Sequence, residues 1–105
     1  MAMNLSKTDK DGVRTVCVQG EVDLNTSPQL RTAITKEVPK DTQTVAVDLS
    51  GVSYMDSSGV ATLVEGLRTA NDRNAAFTLV TPSASVMKVL HLSRLDTVFD
   101  IENVG

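Results

Sequence analysis

The chain has 105 residues and a formal net charge of −3, from 10 Lys and Arg against 13 Asp and Glu. Its 41% hydrophobic and 22% charged content is typical of one small globular domain and excludes a disordered tail, while its acidity argues against a nucleic-acid-binding surface. It has one cysteine, one histidine, no apolar run of the roughly 18 residues that span a bilayer and no signal-peptide core. We therefore expect a cytoplasmic protein without an internal disulfide, a metal centre or a cofactor.

A β-hairpin is predicted at the start of the chain. Asp11 and Gly12 form a dipeptide that favours a tight turn between two strands. The expected strands cover 3–6 and 13–19, on either side of that turn. Residues 20–25 follow as a loop or as the end of the second strand.

One helix and one buried strand come next. The helix is expected to begin near Thr26 or Ser27, because either hydroxyl can cap its first turn. Pro39 is expected to end it, since proline disfavours the helical conformation in the residue before it. The apolar run over 44–49 then predicts a buried strand.

The second half of the chain alternates between helix and strand. Apolar residues at helical spacing predict a long helix over 57–73. Its residues expected to be buried against the sheet are Leu63, Val64 and Leu67. A strand over 77–80, a helix opening at 82–83 and a last strand or short helix over 98–101 complete the order. This order predicts an α/β fold, with a mixed sheet, helices packed on it and a parallel, right-handed βαβ unit around the long helix.

The connection that enters the long helix carries the most informative residues. It reads Ser-Gly-Val-Ser-Tyr-Met-Asp-Ser-Ser-Gly over 50–59 and joins a central strand to a helix N-terminus. Ligands of open α/β sheets bind beyond the strand ends, and a helix N-terminus tolerates a phosphate. Asp56, Ser57 and Ser58 place a carboxylate and two hydroxyls at this point. The alternative is that these residues only cap the helix and that Gly59 only lets the backbone turn.

Catalysis by these serines is disfavoured, and we expect no enzyme. A nucleophilic serine needs a base, and His91, the only histidine, lies in the third predicted helix without a motif around it. Gly-x-Ser-x-Gly and the glycine-rich phosphate loops are absent from the sequence. Cys17 is expected to be a small core residue, and Asp23 either caps the next helix or has a functional role. A small enzyme acting through Asp56 and Ser57 remains an alternative without a base to support it.

Three segments of the chain carry a family resemblance. They are Gly-Glu-Val-Asp at 20–23, Val-Asp-Leu-Ser-Gly-Val-Ser-Tyr-Met-Asp-Ser-Ser-Gly-Val at 47–60 and Leu-Ser-Arg-Leu-Asp-Thr-Val-Phe at 92–99. In this order and spacing they resemble the STAS domain family, and bacterial anti-sigma-factor antagonists in particular. The resemblance implies a single STAS domain over residues 1–105, with a mixed sheet of four to five strands and three to four helices packed mainly on one side.

The resemblance also implies a protein-binding switch. Such antagonists bind an anti-sigma factor that is also a serine kinase of the GHKL ATPase type, and this binding frees a sigma factor. The kinase phosphorylates the first serine of Asp-Ser-Ser-Gly, which corresponds to Ser57, and a metal-dependent serine phosphatase reverses the modification. We expect the phosphate to act by repulsion and steric blocking at an interface, with little change of fold, because a helix N-terminus favours anions.

The contact surface for this partner is expected around the first turn of the long helix and the loop before the first helix, with Met55 as a candidate apolar anchor. No contact with nucleic acid and no membrane insertion are expected. The expected partner-binding residues are Asp23, Asn25, Met55, Asp56, Ser58, Gly59 and Thr62.

Residues 60–66, Val-Ala-Thr-Leu-Val-Glu-Gly, leave a second interpretation open. Many antagonists carry a stretch resembling Gly-Leu-Gly at this point. The sequence here is at least as compatible with the STAS subunits of lipid-transporting ABC systems, which are cytoplasmic partners of the transporter ATPase. A signalling adaptor outside sigma control is a further alternative.

Overall fold

Five strands and three helices make up the computed structural model, which describes residues 3–37 and 44–103. The strands are β1 (Met3–Lys10), β2 (Val13–Val22), β3 (Thr44–Met55), β4 (Ala76–Val80) and β5 (Asp100–Glu102). The helices are α1 (Ser27–Lys36), α2 (Ser57–Asp72) and α3 (Ala84–Leu92). The predicted α/β class and order of elements are confirmed. Within the described ranges, no helix is both long and apolar enough to cross a membrane.

The strands form one mixed sheet in the order β1-β2-β3-β4-β5. β1 pairs with β2 in antiparallel fashion, and the other three pairs are parallel. The predicted hairpin is confirmed: Asp11 and Gly12 have φ angles of 54° and 80°, as the turn that joins such strands requires. The predicted parallel pairing of β3 with β4 around α2 is also confirmed. The carboxyl ends of β2 and β3 consequently lie at the same edge of the sheet.

The core lies against one face of this sheet. Buried and half-buried residues alternate over 15–18 in β2, as on a sheet with one face in the core, whereas β3 has three consecutive buried residues over 45–47. Cys17, expected in the core, is only half-buried because it points to the opposite face from its buried neighbours. The largest fully buried side chains are Leu30, Ile34, Leu49, Leu63, Leu79, Leu90, Val16, Val18, Val22, Val45 and Val47.

The long helix α2 buries a wider arc than its apolar stripe predicts. Leu63 is completely buried, as expected, whereas Val64 and Leu67 are half-buried at the margin of the contact. Gly66 and Ala70 also face the core. The helix is therefore held by small residues as well as large ones.

The strand β3 extends much further than predicted. Residues 50–55, expected as a loop, continue the strand because β2 also extends, to Val22, and pairs with them. The pairing shifts register between Cys17 and Gln19 and again between Gly20 and Glu21, which interrupts the alternation of side chains. Only one residue is left to connect β3 with α2.

The ends of the remaining elements agree in part with the sequence. α1 ends at Lys36, and Pro39, expected to end it, lies outside the described residues. Ser83 caps α3, since its hydroxyl accepts a hydrogen bond from the Val86 N–H at 3.3 Å. The last element is a short strand rather than a helix, and it begins at Asp100.

Candidate functional site

Two segments meet at the carboxyl-terminal edge of the sheet. One is the end of β2 with the loop that follows it, and the other is the end of β3 with the start of α2. Val22 pairs with Met55, and the Asp56 N–H donates to the Val22 carbonyl at 3.2 Å. Asp23 and Ser57, which come from separate predicted motifs, are thus brought to the same edge.

The N-terminus of α2 is capped by Asp56. Its Oδ1 atom accepts hydrogen bonds from the N–H of Ser58 at 2.9 Å and of Gly59 at 3.4 Å. The Ser58 hydroxyl donates to the same oxygen. These bonds satisfy donors that the first turn of a helix leaves unpaired. The capping interpretation is therefore confirmed for Asp56, with Ser58 supporting it.

Ser57 takes no part in this cap. It is the first residue of α2, its side chain is exposed, and its hydroxyl makes no hydrogen bond to any other described residue. The two adjacent serines thus differ: the Ser58 hydroxyl is half-buried and bonded, and the Ser57 hydroxyl is free. A group added at Ser57 would meet the positive end of the helix dipole without breaking a bond of the fold.

The loop after β2 is ordered by Asp23 and Thr26. The Asp23 Oδ1 atom accepts from the N–H of Asn25 at 2.9 Å and of Thr26 at 3.0 Å. The Thr26 hydroxyl donates to the Glu21 carbonyl and accepts from the Asp23 N–H, both at 2.9 Å. The Thr26 N–H, aided by the Asn25 N–H and the Thr26 hydroxyl, lowers the pKa of Asp23 below its usual value. Asp23 therefore has at least a structural role.

The prediction that a hydroxyl caps α1 is wrong. Thr26 occupies the cap position but makes no side-chain bond to the first turn, because its hydroxyl is directed back to Glu21. The Asp23 carbonyl instead accepts from the N–H groups of Thr26 and Ser27, at 3.2 and 2.8 Å. The loop is consequently fixed on both sides of its exposed tip.

Two of the predicted surface residues are buried. Met55 is 4% exposed because it is the last inward-facing residue of β3, and Thr62 is 1% exposed on the inner side of α2. The Thr62 hydroxyl donates to the Ser58 carbonyl at 3.0 Å. The expectation that Met55 and Thr62 lie on the contact surface is therefore wrong, whereas Asn25 is exposed and Asp23 is partly exposed.

Gly59, expected among the partner-binding residues, is buried as well, so that expectation is wrong, and its role also differs from the expected turn. It lies within α2, where an added Cβ would come within 2.6 Å of Met55 Cγ and 2.8 Å of Val22 Cγ1. Glycine at this position lets the first turn of the helix approach the ends of β2 and β3. Gly59 thereby sets the height of Ser57 above the sheet.

Two exposed apolar side chains at this edge were not identified from the sequence. Leu24, at the tip of the loop after β2, is 76% exposed, and Tyr54, paired with Glu21 near the end of β3, is 49% exposed. Large exposed apolar groups beside a candidate site favour a protein contact. Tyr54 points outward because it is adjacent in β3 to the buried Met55, and neighbouring residues of a strand point to opposite faces.

The described residues offer no catalytic or metal-binding constellation at this edge. His91 is exposed and pairs with Asp96 at 3.2 Å, and no described base contacts Ser57. No group of three or more His, Cys, Asp or Glu side chains in residues 3–37 and 44–103 is arranged so that it could hold a metal ion. The arrangement is that of an exposed hydroxyl at the start of a helix, on the same sheet edge as Asp23 and Leu24.

Known proteins share both the sequence pattern and the fold. The family model described as "Mlab, STAS domain" matches residues 5–102. An anti-sigma-B factor antagonist of Staphylococcus aureus is 30% identical over 95 residues, which cover 90% of this chain and 88% of the relative.

Solved structures lead to the same family. The crystal structure of an anti-sigma factor antagonist from Mycobacterium paratuberculosis has a TM-score of 0.86 at 29% identity and covers 96% of this chain and 86% of its own. The Bacillus cell fate determinant SpoIIAA, in its phosphorylated form, shares the fold with a TM-score of 0.75 at 23% identity over 99% of this chain and 92% of its own. With its five-stranded mixed sheet, its three helices and its Asp-Ser-Ser-Gly turn, the chain belongs to the STAS domain family.

Proposed function

We propose that this protein is a cytoplasmic anti-sigma factor antagonist whose binding is switched by phosphorylation of Ser57. Unphosphorylated, it sequesters an anti-sigma factor that is also a serine kinase, and so releases a sigma factor; a serine phosphatase resets it. Its relatives of this name are binding modules rather than enzymes. The observation that carries the proposal is the exposed, unbonded hydroxyl of Ser57 at the start of α2.

The modification changes charge at one point of the surface. The kinase transfers the γ-phosphoryl group of ATP to Ser57 Oγ, releasing ADP and the hydroxyl proton. The phosphoserine adds about −1.5 to −2 charges. The cap made by Asp56 and Ser58 stays in place because none of its bonds involves Ser57. A partner surface that fits the neutral hydroxyl then meets a dianion, and the complex dissociates.

The side chains at this edge of the sheet divide into two groups. Leu24, Tyr54 and Asn25 are exposed and make the proposed contact, with Leu24 as the apolar anchor in place of Met55. Met55 and the buried residues of α2 that contact it lie on the core side of this edge and stabilise its conformation. The hydrogen bonds of Asp23 and Thr26 hold the loop that carries Leu24, which lowers the entropy cost of ordering this loop on binding.

Phosphorylation is tested with the cognate anti-sigma kinase and ATP, followed by intact mass measurement and fragment mapping. We expect one phosphate, on Ser57. Ser57→Ala should remain folded, accept no phosphate and keep binding, and Ser57→Glu should bind more weakly, although one carboxylate has fewer charges than phosphate. Ser58→Ala is the matched control and should still be phosphorylated. Phosphate on Ser58 alone would refute the assignment.

A STAS subunit that binds the ATPase of a lipid-transporting ABC system is the second candidate. The stretch 60–66, which follows the phosphorylation motif, favours it. The same experiment separates the two candidates. No phosphate on the wild-type chain, together with tight binding to a transporter ATPase, would establish the second function in place of the first.

A further inference from the structure

A groove begins at Ser57 and follows the solvent-facing side of α2. It has a volume of about 450 Å³ and is lined along its floor by Val60, Ala61 and Val64, with Leu95 at one side. Ala61 is exposed, Val64 and Leu95 are half-buried, and Val60 is buried. Water therefore reaches the apolar surface at Ala61, Val64 and Leu95, whereas Val60 lies in the core beneath it.

The rim of the groove is charged, and its charges do not cancel. Arg31 of α1 and Glu65 of α2 form an ion pair at 2.7 Å with both side chains about half exposed. Arg68, one turn beyond Glu65, is exposed and forms no ion pair with another described residue. The groove thus carries a local excess of one positive charge on a chain whose net charge is −3.

The dimensions of the groove suit a helix. At 1.5 Å per residue, the part of α2 from Ser57 to Arg68 spans about 16 Å, or about three helical turns. The apolar floor from Val60 to Val64 covers about 6 Å of this length, a little over one turn, and lies between polar side chains at both ends. Such a surface can receive the apolar anchors of one turn of an amphipathic helix.

We propose that the groove receives an acidic amphipathic helix of the anti-sigma partner, with its apolar face on Ala61, Val64 and Leu95 and its carboxylates toward Arg31 and Arg68. This inference rests on the proposed function and adds to it the chemistry of the partner segment. It also explains how one modification releases the partner. A phosphate on Ser57 stands at the end of the same groove, so its bulk and charge occupy the place where that end of the partner helix would lie.

Two variants of the full chain test the groove. Arg68→Glu reverses the unpaired charge, and Ala61→Trp fills the floor from an exposed position. Lys88→Glu on α3 makes the same change in net charge outside the groove, and Asn71→Trp places the same ring on an exposed α2 position outside it. Thermal unfolding by circular dichroism verifies that all four variants fold.

The measurement is the dissociation constant for the cognate anti-sigma kinase, at low and at high salt. We expect Arg68→Glu to weaken binding about three- to tenfold and to flatten its salt dependence. Ala61→Trp should weaken it more than about tenfold, because it blocks the centre of the contact. Each control should stay within about twofold of the wild type.

The outcomes separate the groove from the function on which it rests. If the wild type binds and is phosphorylated while both groove variants bind equally well, the groove proposal is refuted and the proposed function stands. A loss in Lys88→Glu equal to that in Arg68→Glu would also refute it, because net charge alone would then explain the effect. A wild-type chain that neither binds nor accepts phosphate overturns both. Should Ala61→Trp fail to fold, Arg68→Glu and its control still decide.

Discussion

Three leucines with different burial allow a graded test of the core. Leu63 is completely buried, Leu67 is half-buried and Leu24 is 76% exposed. Truncating Leu63 to alanine removes three buried carbon groups, worth about 2.4 kcal/mol of transfer free energy. The cavity that remains raises the expected loss to about 3–4 kcal/mol. Leu67→Ala should cost about 1–2 kcal/mol in proportion to its burial, and Leu24→Ala less than about 0.5 kcal/mol.

Urea unfolding followed by far-ultraviolet circular dichroism measures this series. A domain of this size has a free energy of unfolding of about 5–15 kcal/mol, so Leu63→Ala should lower the midpoint clearly while leaving the m-value unchanged. A loss below about 1 kcal/mol for Leu63→Ala, or an equal loss for Leu24→Ala, would refute the assignment of the buried face of α2. Leu24→Ala should instead weaken binding to the anti-sigma partner. Of the three variants, the one that costs the least stability should therefore lose the most binding affinity.

Three further predictions concern the edge that carries Ser57. Gly59→Ala should lower the free energy of unfolding by about 1–2 kcal/mol, because the added Cβ has no room, although alanine favours helices. Urea unfolding tests this, and a higher free energy of unfolding would contradict it. In the same assay, Asp56→Ala should lower the free energy of unfolding by about 1 kcal/mol through loss of the cap, and Ser57→Ala should lower it by less than half as much. Equal losses of stability would show that Ser57 takes part in the cap. Because the pKa of Asp23 is lowered on folding, its stabilisation is complete above its unfolded pKa and is lost as pH falls through the folded value. Asp23→Asn should therefore flatten the acid side of the stability profile, measured as urea midpoint against pH, and an unchanged profile would contradict this.

Local periodicity predicted most of the fold. The helical spacing of apolar residues in α2 and the apolar run at the start of β3 are properties of neighbouring residues, and both elements formed where expected. The second half of β3 was missed because Ser50, Ser53 and Gly51 give it the composition of a loop. Its strand conformation comes from pairing with β2 through two register shifts, which no local pattern contains.

The candidate site shows the same limit. The positions of Asp56 and Ser57 at the start of α2 could be predicted from the residue preferences of helix N-termini. Their different roles depend on which side-chain oxygen reaches the N–H groups of the first turn. Thr62 was placed on the surface because it is polar, but α2 packs on α1 as well as on the sheet, so its buried arc is wider than its apolar stripe. The groove depends on Arg31 and Leu95, which come from distant parts of the chain and meet α2 only in the folded protein.

The free hydroxyl of Ser57 beside a self-sufficient cap has a consequence for the life of the protein in the cell. Attaching or removing a group at this atom leaves the Asp56 bonds to the first turn untouched, so the core need not open during either step. Under the phosphorylation that we propose for Ser57, the chain would pass through many rounds of modification without populating an unfolded form that proteases degrade. The abundance of the protein would then be independent of how often the proposed switch is used.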